Sequence, residues 1–241
     1  MKILDRRRFL QISGLTALGA TAGLAGCSEN RNAAGTSTSD ATSLAGTTSN
    51  DAASAASASA SSSQANPATA DGSSLVLVFS RAGENYGVGT VEVGNTMVLA
   101  QMIAEKTGAD LFEIERAKPY PEAYNACCDE SLEEKNAGVR PELAAMPDIS
   151  GYNTVYLGFP CWWGDMPMPV YTAIDALDWN GKTICPFSTH AGSGEAGMFA
   201  TVARRCTGAT VMDGLTVAGT TAQNDRTTAE SQVDSWLASL S

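Results

Sequence analysis

Three short segments carry the residue types that could do chemistry. The first joins Ser80-Arg81 to Asn95-Thr96, the second is Pro160-Cys161-Trp162-Trp163-Gly164, and the third runs from Thr189-His190 to Gly192. Hydroxyl, amide and glycine groups in the first suit a phosphate bound at a helix N-terminus. The adjacent indoles in the second suit stacking against a flat, polarizable ring. The pattern therefore indicates one ligand that combines a phosphate with a planar ring.

The first segment suits a phosphate because its donors converge where a helix should begin. Ser80 follows an apolar run, and Asn95 and Thr96 stand at the start of the next predicted helix. Unpaired N–H groups and the helix dipole favour an anion there without a lysine. Arg81 either adds charge or stays solvated. The alternative for the whole segment is an ordinary strand–helix turn with a cap.

The second segment would border the ring. Pro160, Trp162 and Trp163 come at a predicted strand end, and at least one indole is expected to pack inward. Gly164 permits close approach of the backbone to a ligand. The alternative is that both tryptophans belong to the core.

The third segment would meet the polar edge of the ring. Thr189, His190 and Gly192 can supply donors there. His190 is the only histidine, and it could either flank the ring or donate a proton to a substrate. We expect it to flank the ring, because no second acid or base stands beside it.

Each segment follows a short apolar run, as expected at the carboxyl edge of an open α/β sheet, where ligands bind. Residues 75–79 are apolar without alternation, which is typical of a parallel strand buried on both faces. Pro186 is expected near a strand end, and Thr227 with Glu230 is expected to cap the last helix. The predicted architecture is a doubly wound, five-stranded parallel α/β sheet with helices on both faces. Its strands are predicted over 75–79, 110–115, 154–159, 183–187 and 209–217. The helices between them are predicted over 95–106, within 120–136, and over 168–177 and 193–205.

Residues 1–27 have the features of an export signal. Arg6-Arg7-Arg8 fits a twin-arginine pattern, and a weakly apolar stretch follows it. The stretch ends in Leu24-Ala25-Gly26-Cys27, which resembles a bacterial lipoprotein cleavage site with Cys27 as the lipidated residue. A plain secretory signal with an incidental cysteine is the alternative.

The rest of the chain divides by composition. Residues 28–72 are almost entirely Ser, Ala, Thr, Gly and Asn, so they should form a flexible linker. Residues 73–241 are one domain's worth of sequence. The net charge of the chain is −11, and it becomes −14 without residues 1–27. Such an acidic body argues against nucleic acid as a partner.

The cysteines do not form a metal pattern. Five remain after Cys27, with no Cys-x-x-Cys pair and a single histidine beside them. Cys127 and Cys128 are expected to be free thiols near a helix, with a vicinal disulfide as the alternative. Cys161 is expected to be structural, and Cys185 and Cys206 are expected to be buried.

With its three segments in this order and spacing, the chain resembles the flavodoxin-like FMN-binding family. Thr107-Gly108-Ala109-Asp110 and Pro119-Tyr120-Pro121 add to the resemblance, which covers nearly all of residues 73–241. It implies strand order 2-1-3-4-5 and FMN bound by the three segments. One departure is an insertion over residues 84–94. Either it bulges outward and the phosphate loop closes normally, or the phosphate geometry differs.

The predicted function is electron transfer by an exported, lipid-anchored FMN flavoprotein outside the cytoplasmic membrane of a bacterium. Its partner would be a redox protein or a small-molecule electron acceptor. The alternative is an FMN-dependent NAD(P)H:quinone oxidoreductase or a related enzyme. The protein would reach the membrane through its lipid anchor.

Overall fold

In a computed structural model of the chain, residues 73–240 are described. The predicted signal of residues 1–27, with Cys27, and the predicted linker of residues 28–72 lie outside the described residues. Within residues 73–240, no helix has the length and apolar character needed to cross a membrane.

A parallel sheet forms the centre of the domain. Its order is β4-β1-β5-β6, and both β7 and β8 pair with the far edge of β6. This order confirms the predicted 2-1-3-4-5 topology, with the fifth strand in two pieces. The sheet strands are β1 (Ser74–Val78), β4 (Asp110–Glu113), β5 (Thr154–Pro160), β6 (Thr183–His190), β7 (Thr210–Val211) and β8 (Leu215–Ala218). A separate antiparallel hairpin consists of β2 (Gly83–Asn85) and β3 (Gly89–Val91).

Helices cover both faces of the sheet, as predicted. Helices α1, α5 and α6 pack on one face with Val76 and Val78, and helices α3 and α4 pack on the other with Leu75 and Leu77. Four of the five β1 side chains, those of residues 75–78, are buried, which explains why the strand is apolar without alternation. The helices are α1 (Asn95–Thr107), α2 (Tyr124–Ala137), α3 (Met168–Ala176), α4 (Met198–Arg205), α5 (Gly219–Asn224) and α6 (Arg226–Ser239).

Pro186 lies in the middle of β6, so its expected place near a strand end was wrong. The register pairs Pro186 with Leu157 of β5 on one side. On the other side, the Ile184 carbonyl accepts from the Met212 N–H, so the backbone groups of Ile184 point toward the fifth strand. Backbone groups of every second residue point the same way, and those of Pro186 therefore also face the fifth strand. The break between β7 and β8 falls opposite Pro186. The missing N–H of proline therefore faces a gap in the ladder rather than an unpaired acceptor.

Several helix starts differ from the predictions. Helix α4 begins at Met198 instead of residue 193, because Gly192, Gly194 and Gly197 have positive φ and cannot continue a helix. Helix α2 begins at Tyr124, inside the predicted range of residues 120–136. The cap of α6 is Asp225, whose carboxylate accepts from the Thr228 N–H, and not the predicted Thr227. The short helix α5 was not predicted.

The predictions for Cys127, Cys128, Cys185 and Cys206 are confirmed within the described residues, and a structural role for Cys161 stays a prediction. All five thiols there are free, so Cys127 and Cys128 form no vicinal disulfide. Cys127, Cys185 and Cys206 are buried, and burial raises the pKa of the Cys127 and Cys185 thiols to about 11. Among residues 73–240, no group of three or more His, Cys, Asp or Glu side chains could hold a metal ion.

Candidate functional site

A cavity of about 330 Å³ opens at the carboxyl ends of the central strands. Three elements of the sheet edge border it: the end of β5, the end of β6 and the turn from β8 into α5. The start of α1 and the tip of the β2–β3 hairpin complete its wall. None of the lining residues carries a formal charge: Asn85, Tyr86, Gly87, Asn95, Tyr124, Pro160, Cys161, Trp162, Thr189, His190, Ala191, Gly192, Ala218, Gly219 and Thr220.

Two hydroxyl groups fix the start of α1 against the sheet. Ser80 Oγ, after β1, accepts from the Met97 N–H at 3.0 Å. Thr96 Oγ1 is buried and lies 2.7 Å from Thr189 Oγ1 at the end of β6. Ser80 and Thr96 thus orient the helix and do not line the cavity themselves.

Asn95 is the first residue of α1 and faces the cavity. Within the described part of the chain, neither its backbone N–H nor that of Thr96 donates a hydrogen bond. The Asn95 Oδ1 atom is buried there without a partner. Buried polar atoms are normally paired, so this end of the cavity suits a polar ligand group. The helix dipole adds partial positive charge at the same point.

The insertion forms the β2–β3 hairpin, and the loop closes behind it. A Cβ atom added to Gly94 would lie 2.3 Å from Ser80 Oγ and 2.5 Å from the Arg81 carbonyl oxygen. The hairpin therefore begins after Arg81 and ends at Gly94, and Gly94 lies against Ser80 and Arg81. The insertion therefore bulges out of a closed loop, and normal phosphate geometry in that loop stays a prediction.

Arg81 holds the base of the hairpin. Its guanidinium donates to the carbonyl oxygens of Glu84, Pro121 and Glu122 at 2.8–3.3 Å. At the other end, Gln223 Nε2 donates to the Val93 carbonyl at 2.7 Å. Since its donors are engaged in this way and it does not line the cavity, Arg81 acts here as a backbone clamp. Contact of Arg81 with a phosphate stays a prediction.

The two tryptophans have different surroundings. Trp162 lines the cavity, and its indole also packs edge-on against Phe79 and Tyr120, with ring centroids 5.4 and 5.2 Å away. Trp163 is 48% exposed, and its Nε1 donates to Ser131 Oγ at 3.2 Å. One indole thus packs inward, as expected, and that same indole reaches the cavity.

Trp163 and Gly164 form the tip of a tight turn. Trp162 and Asp165 exchange backbone hydrogen bonds of 2.8 and 3.0 Å across it. Both central residues have positive φ, 56° for Trp163 and 68° for Gly164, which is the signature of a type I′ turn. The Trp163 carbonyl accepts from Lys135 Nζ. Neither tip residue lines the main cavity. A space around Gly164 remains open, since an added Cβ would meet nothing within 4 Å.

The third segment is brought to the cavity as predicted. Thr189 is buried, and His190 is half-buried with its Nδ1 accepting from the Gly192 N–H at 2.9 Å. Burial lowers the pKa of His190, which favours the neutral ring with its proton on Nε2. Pro160 lines the opposite side.

The sequence did not reveal two parts of the wall. Asn85, Tyr86 and Gly87 come from the insertion, and the turn at residues 218–220 leads into the unpredicted helix α5. Tyr86 is 66% exposed, although it borders a cavity. The only sequence feature that could have indicated this wall was an aromatic residue, Tyr86, between the glycines of the insertion. A smaller cavity of about 150 Å³ adjoins through shared walls, among them Tyr124 and Trp162.

The glycine-rich turn before α4 differs chemically from the α1 start. Its sequence, Gly-Ser-Gly-Glu-Ala-Gly over residues 192–197, has the spacing of a dinucleotide-binding loop. However, the Glu195 carboxylate already accepts from the Phe199 N–H in the first turn of α4, at 3.2 Å. This carboxylate would repel a second anion, so the start of α1 is the better phosphate site.

The fold and the cavity define an open, parallel α/β protein. Its helix α1 begins with N–H groups that suit an anion, beside aromatic side chains of the cavity wall. The flavodoxin family matches residues 90–236, more than half of the chain, and the chain belongs to this family. No curated protein sequence matches the chain significantly.

Solved structures share the fold. A predicted flavoprotein from Bacteroides eggerthii DSM 20697 is 25% identical, with a TM-score of 0.56 over 70% of this chain and 98% of its own. Another from Bacteroides uniformis ATCC 8492 is 26% identical, with a TM-score of 0.54 over 68% and 98%. A flavoprotein from Lactobacillus acidophilus NCFM, solved in complex with FMN, is 20% identical, with a TM-score of 0.51 over 69% and 99%.

The loop closure at Gly94 leads to a stability prediction. Gly94→Ala should lower the free energy of unfolding by about 1–3 kcal/mol, because its methyl group would overlap Ser80 and Arg81. Gly151→Ala is the matched control, since its Cβ meets nothing within 4 Å and its φ is not positive. The control should change stability by less than about 0.5 kcal/mol. Chemical denaturation of both variants measures the difference, and equal stabilities would contradict the close contact.

Proposed function

We propose that this chain is an FMN-binding electron-transfer flavoprotein. The observation that carries the proposal is the uncharged, aromatic-walled cavity that ends at the start of α1, where the Asn95 and Thr96 N–H groups are unpaired within the described residues. Membership of the flavodoxin family and the FMN complex of the Lactobacillus relative both support FMN as the cofactor.

The residues of the cavity fit the parts of FMN. Asn95 and the first N–H groups of α1 would hold the phosphate, and a turned Asn95 amide would offer its NH₂ group. Trp162 and Tyr86 would contact the flat ring. Backbone donors near His190 and Gly192 would meet the polar edge of that ring. When bound, the flavin supplies the capacity to accept and release electrons.

Two observations support a carrier over an enzyme that uses a nicotinamide dinucleotide. The only loop with dinucleotide-type spacing is blocked at its helix start by Glu195. The chain also has a net charge of −11, which favours docking with a basic partner protein over attraction of an anionic dinucleotide. The partner would be a redox protein or a small electron acceptor.

We expect the purified chain to release FMN on heating, at about one molecule per chain, as mass spectrometry would show.

Trp162→Ala should weaken FMN binding by about 1–3 kcal/mol and Tyr86→Ala by about 0.5–1.5 kcal/mol, through lost aromatic contact. Val88→Ala, on the same hairpin but outside the cavity wall, should leave affinity unchanged. Fluorescence titration of the apoprotein measures all three. Release of FAD, or of no flavin, would contradict the proposed cofactor.

A carrier and an enzyme differ in their redox behaviour. We expect a potentiometric titration of the FMN-loaded chain to resolve two one-electron steps. NADH or NADPH with a quinone should give a turnover below about 1 per second, under the usual range of enzymes. Rapid turnover together with a single two-electron step would favour the NAD(P)H:quinone oxidoreductase instead.

We further propose that the protein is exported and anchored by lipid outside the cytoplasmic membrane of a bacterium. The support is the arginine triplet and Leu24-Ala25-Gly26-Cys27 in the sequence. Cys27→Ala should move the protein from the membrane fraction to the soluble fraction, because stable anchoring needs more than one acyl chain on that residue. Fractionation after a high-salt wash tests this expectation. A variant that still sediments with membranes would defeat the lipid-anchor assignment.

A further inference from the structure

A larger groove, of about 1010 Å³, lies beside the β2–β3 hairpin and does not share the residues that face the cavity. It runs between β3 with the residues after it and β4, the edge strand of the sheet. The residues that decide its chemistry are Thr90, Glu92, Val93, Leu111, Glu113 and Glu122. None of them has a part in the proposed FMN site.

Both strands that border the groove expose backbone hydrogen-bonding groups. Val78 of β1 is paired with Glu113, and its carbonyl accepts from the Ile114 N–H. In a parallel ladder this pairing turns the N–H and C=O groups of Leu111 and Glu113 away from β1. Within the described residues, these outward groups have no hydrogen-bond partner.

The hairpin presents a similar edge. The Glu84 N–H points away from β3, to the Glu122 carbonyl, so Glu84 and Thr90 are a non-hydrogen-bonded pair. The backbone of Thr90 therefore also faces outward. The groove is thus bordered by two open strand edges. Farther along, residues 142–144 cover the edge after β4, where Ala144 donates to Glu115.

Side chains of the groove combine apolar surface with unbalanced negative charge. Leu111 is 41% exposed and Val93 is 39% exposed. Four carboxylates line the groove, from Glu92, Glu113, Glu115 and Glu122. The two cations in its wall are engaged elsewhere: Arg81 on backbone carbonyls, and Arg116 on Glu130 and Glu134.

Glu113 is the clearest uncompensated group. Burial, with a smaller effect from the neighbouring Glu115 charge, raises its pKa to about 7. No ion pair or hydrogen bond from residues 73–240 stabilises the ionised Glu113 carboxylate. A positive group placed in the groove would stabilise it and lower its pKa.

From this geometry we infer that the groove is a docking site for an extended, positively charged segment of a partner protein, which adds a strand to β4. Main-chain hydrogen bonds would give affinity, and lysine or arginine side chains beside the carboxylates would give selectivity. The same carboxylates disfavour a second copy of this chain, because its own β4 would bring Asp110 and Glu113 into the groove. The inference depends on β4 and the hairpin and not on bound FMN.

The test uses the full chain and an end-capped peptide of alternating lysine and valine. We expect the peptide to bind, more weakly as salt rises, and to slow amide hydrogen exchange at Leu111 and Glu113 by about tenfold or more. A peptide of the same charge with N-methylated valines should bind at least about fivefold more weakly, because it cannot pair with a strand edge. A glutamate–valine peptide should not bind.

A matched pair of variants locates the site. Glu113→Gln with Glu115→Gln should weaken binding of the lysine–valine peptide by about fivefold. Asp129→Asn with Glu133→Gln also replaces two carboxyl groups, at exposed positions on α2 outside the groove, and it should have little effect. Four results would each overturn the inference: no binding, no slowing at Leu111 and Glu113, equal loss in both variants, or a dimer of the chain paired through β4. Each is independent of whether the chain binds FMN.

Discussion

The candidate site depends on how the first turn of α1 is held against the sheet. Ser80 Oγ accepts from the Met97 N–H, and Thr96 Oγ1 lies 2.7 Å from Thr189 Oγ1. These two contacts fix the helix start between the ends of β1 and β6. They also occupy the hydroxyl groups and leave the first two N–H groups of the helix for a ligand. The anion site is therefore a property of backbone position, and it needs no lysine or arginine.

Closure of the loop at Gly94 allows the insertion to exist without moving that helix. Because glycine lies against Ser80 and Arg81, the chain can leave and return at one point. The hairpin between these residues then adds a wall, with Tyr86, to a cavity that the sheet edge already forms. Arg81, whose type suggested phosphate binding, is needed instead to anchor this hairpin through three carbonyl groups.

The sequence predicted the parts of the structure that follow from periodicity and from strand-end position. The unbroken apolar run of β1, the stripe of α1 ending at Gly108 and the order of the sheet all appear as expected. It could not predict features set by contacts distant in sequence. Pro186 is tolerated because the fifth strand breaks opposite it, and Tyr86 lies at the cavity on a hairpin that distant residues such as Arg81 and Gln223 hold in place. Which tryptophan faces the cavity also depended on packing, since Trp162 is held by Phe79 and Tyr120.

The two surfaces beside the hairpin have opposite electrostatic character. The cavity wall has no formal charge, so an anionic group there meets only the helix dipole and neutral donors. The groove has four carboxylates whose charge is not balanced by its two engaged arginines. A negatively charged ligand is therefore repelled from the groove, while a basic segment gains nothing from the cavity. Because the same hairpin borders both surfaces, its anchoring by Arg81 is what keeps a ligand site and a docking site separate on one small domain.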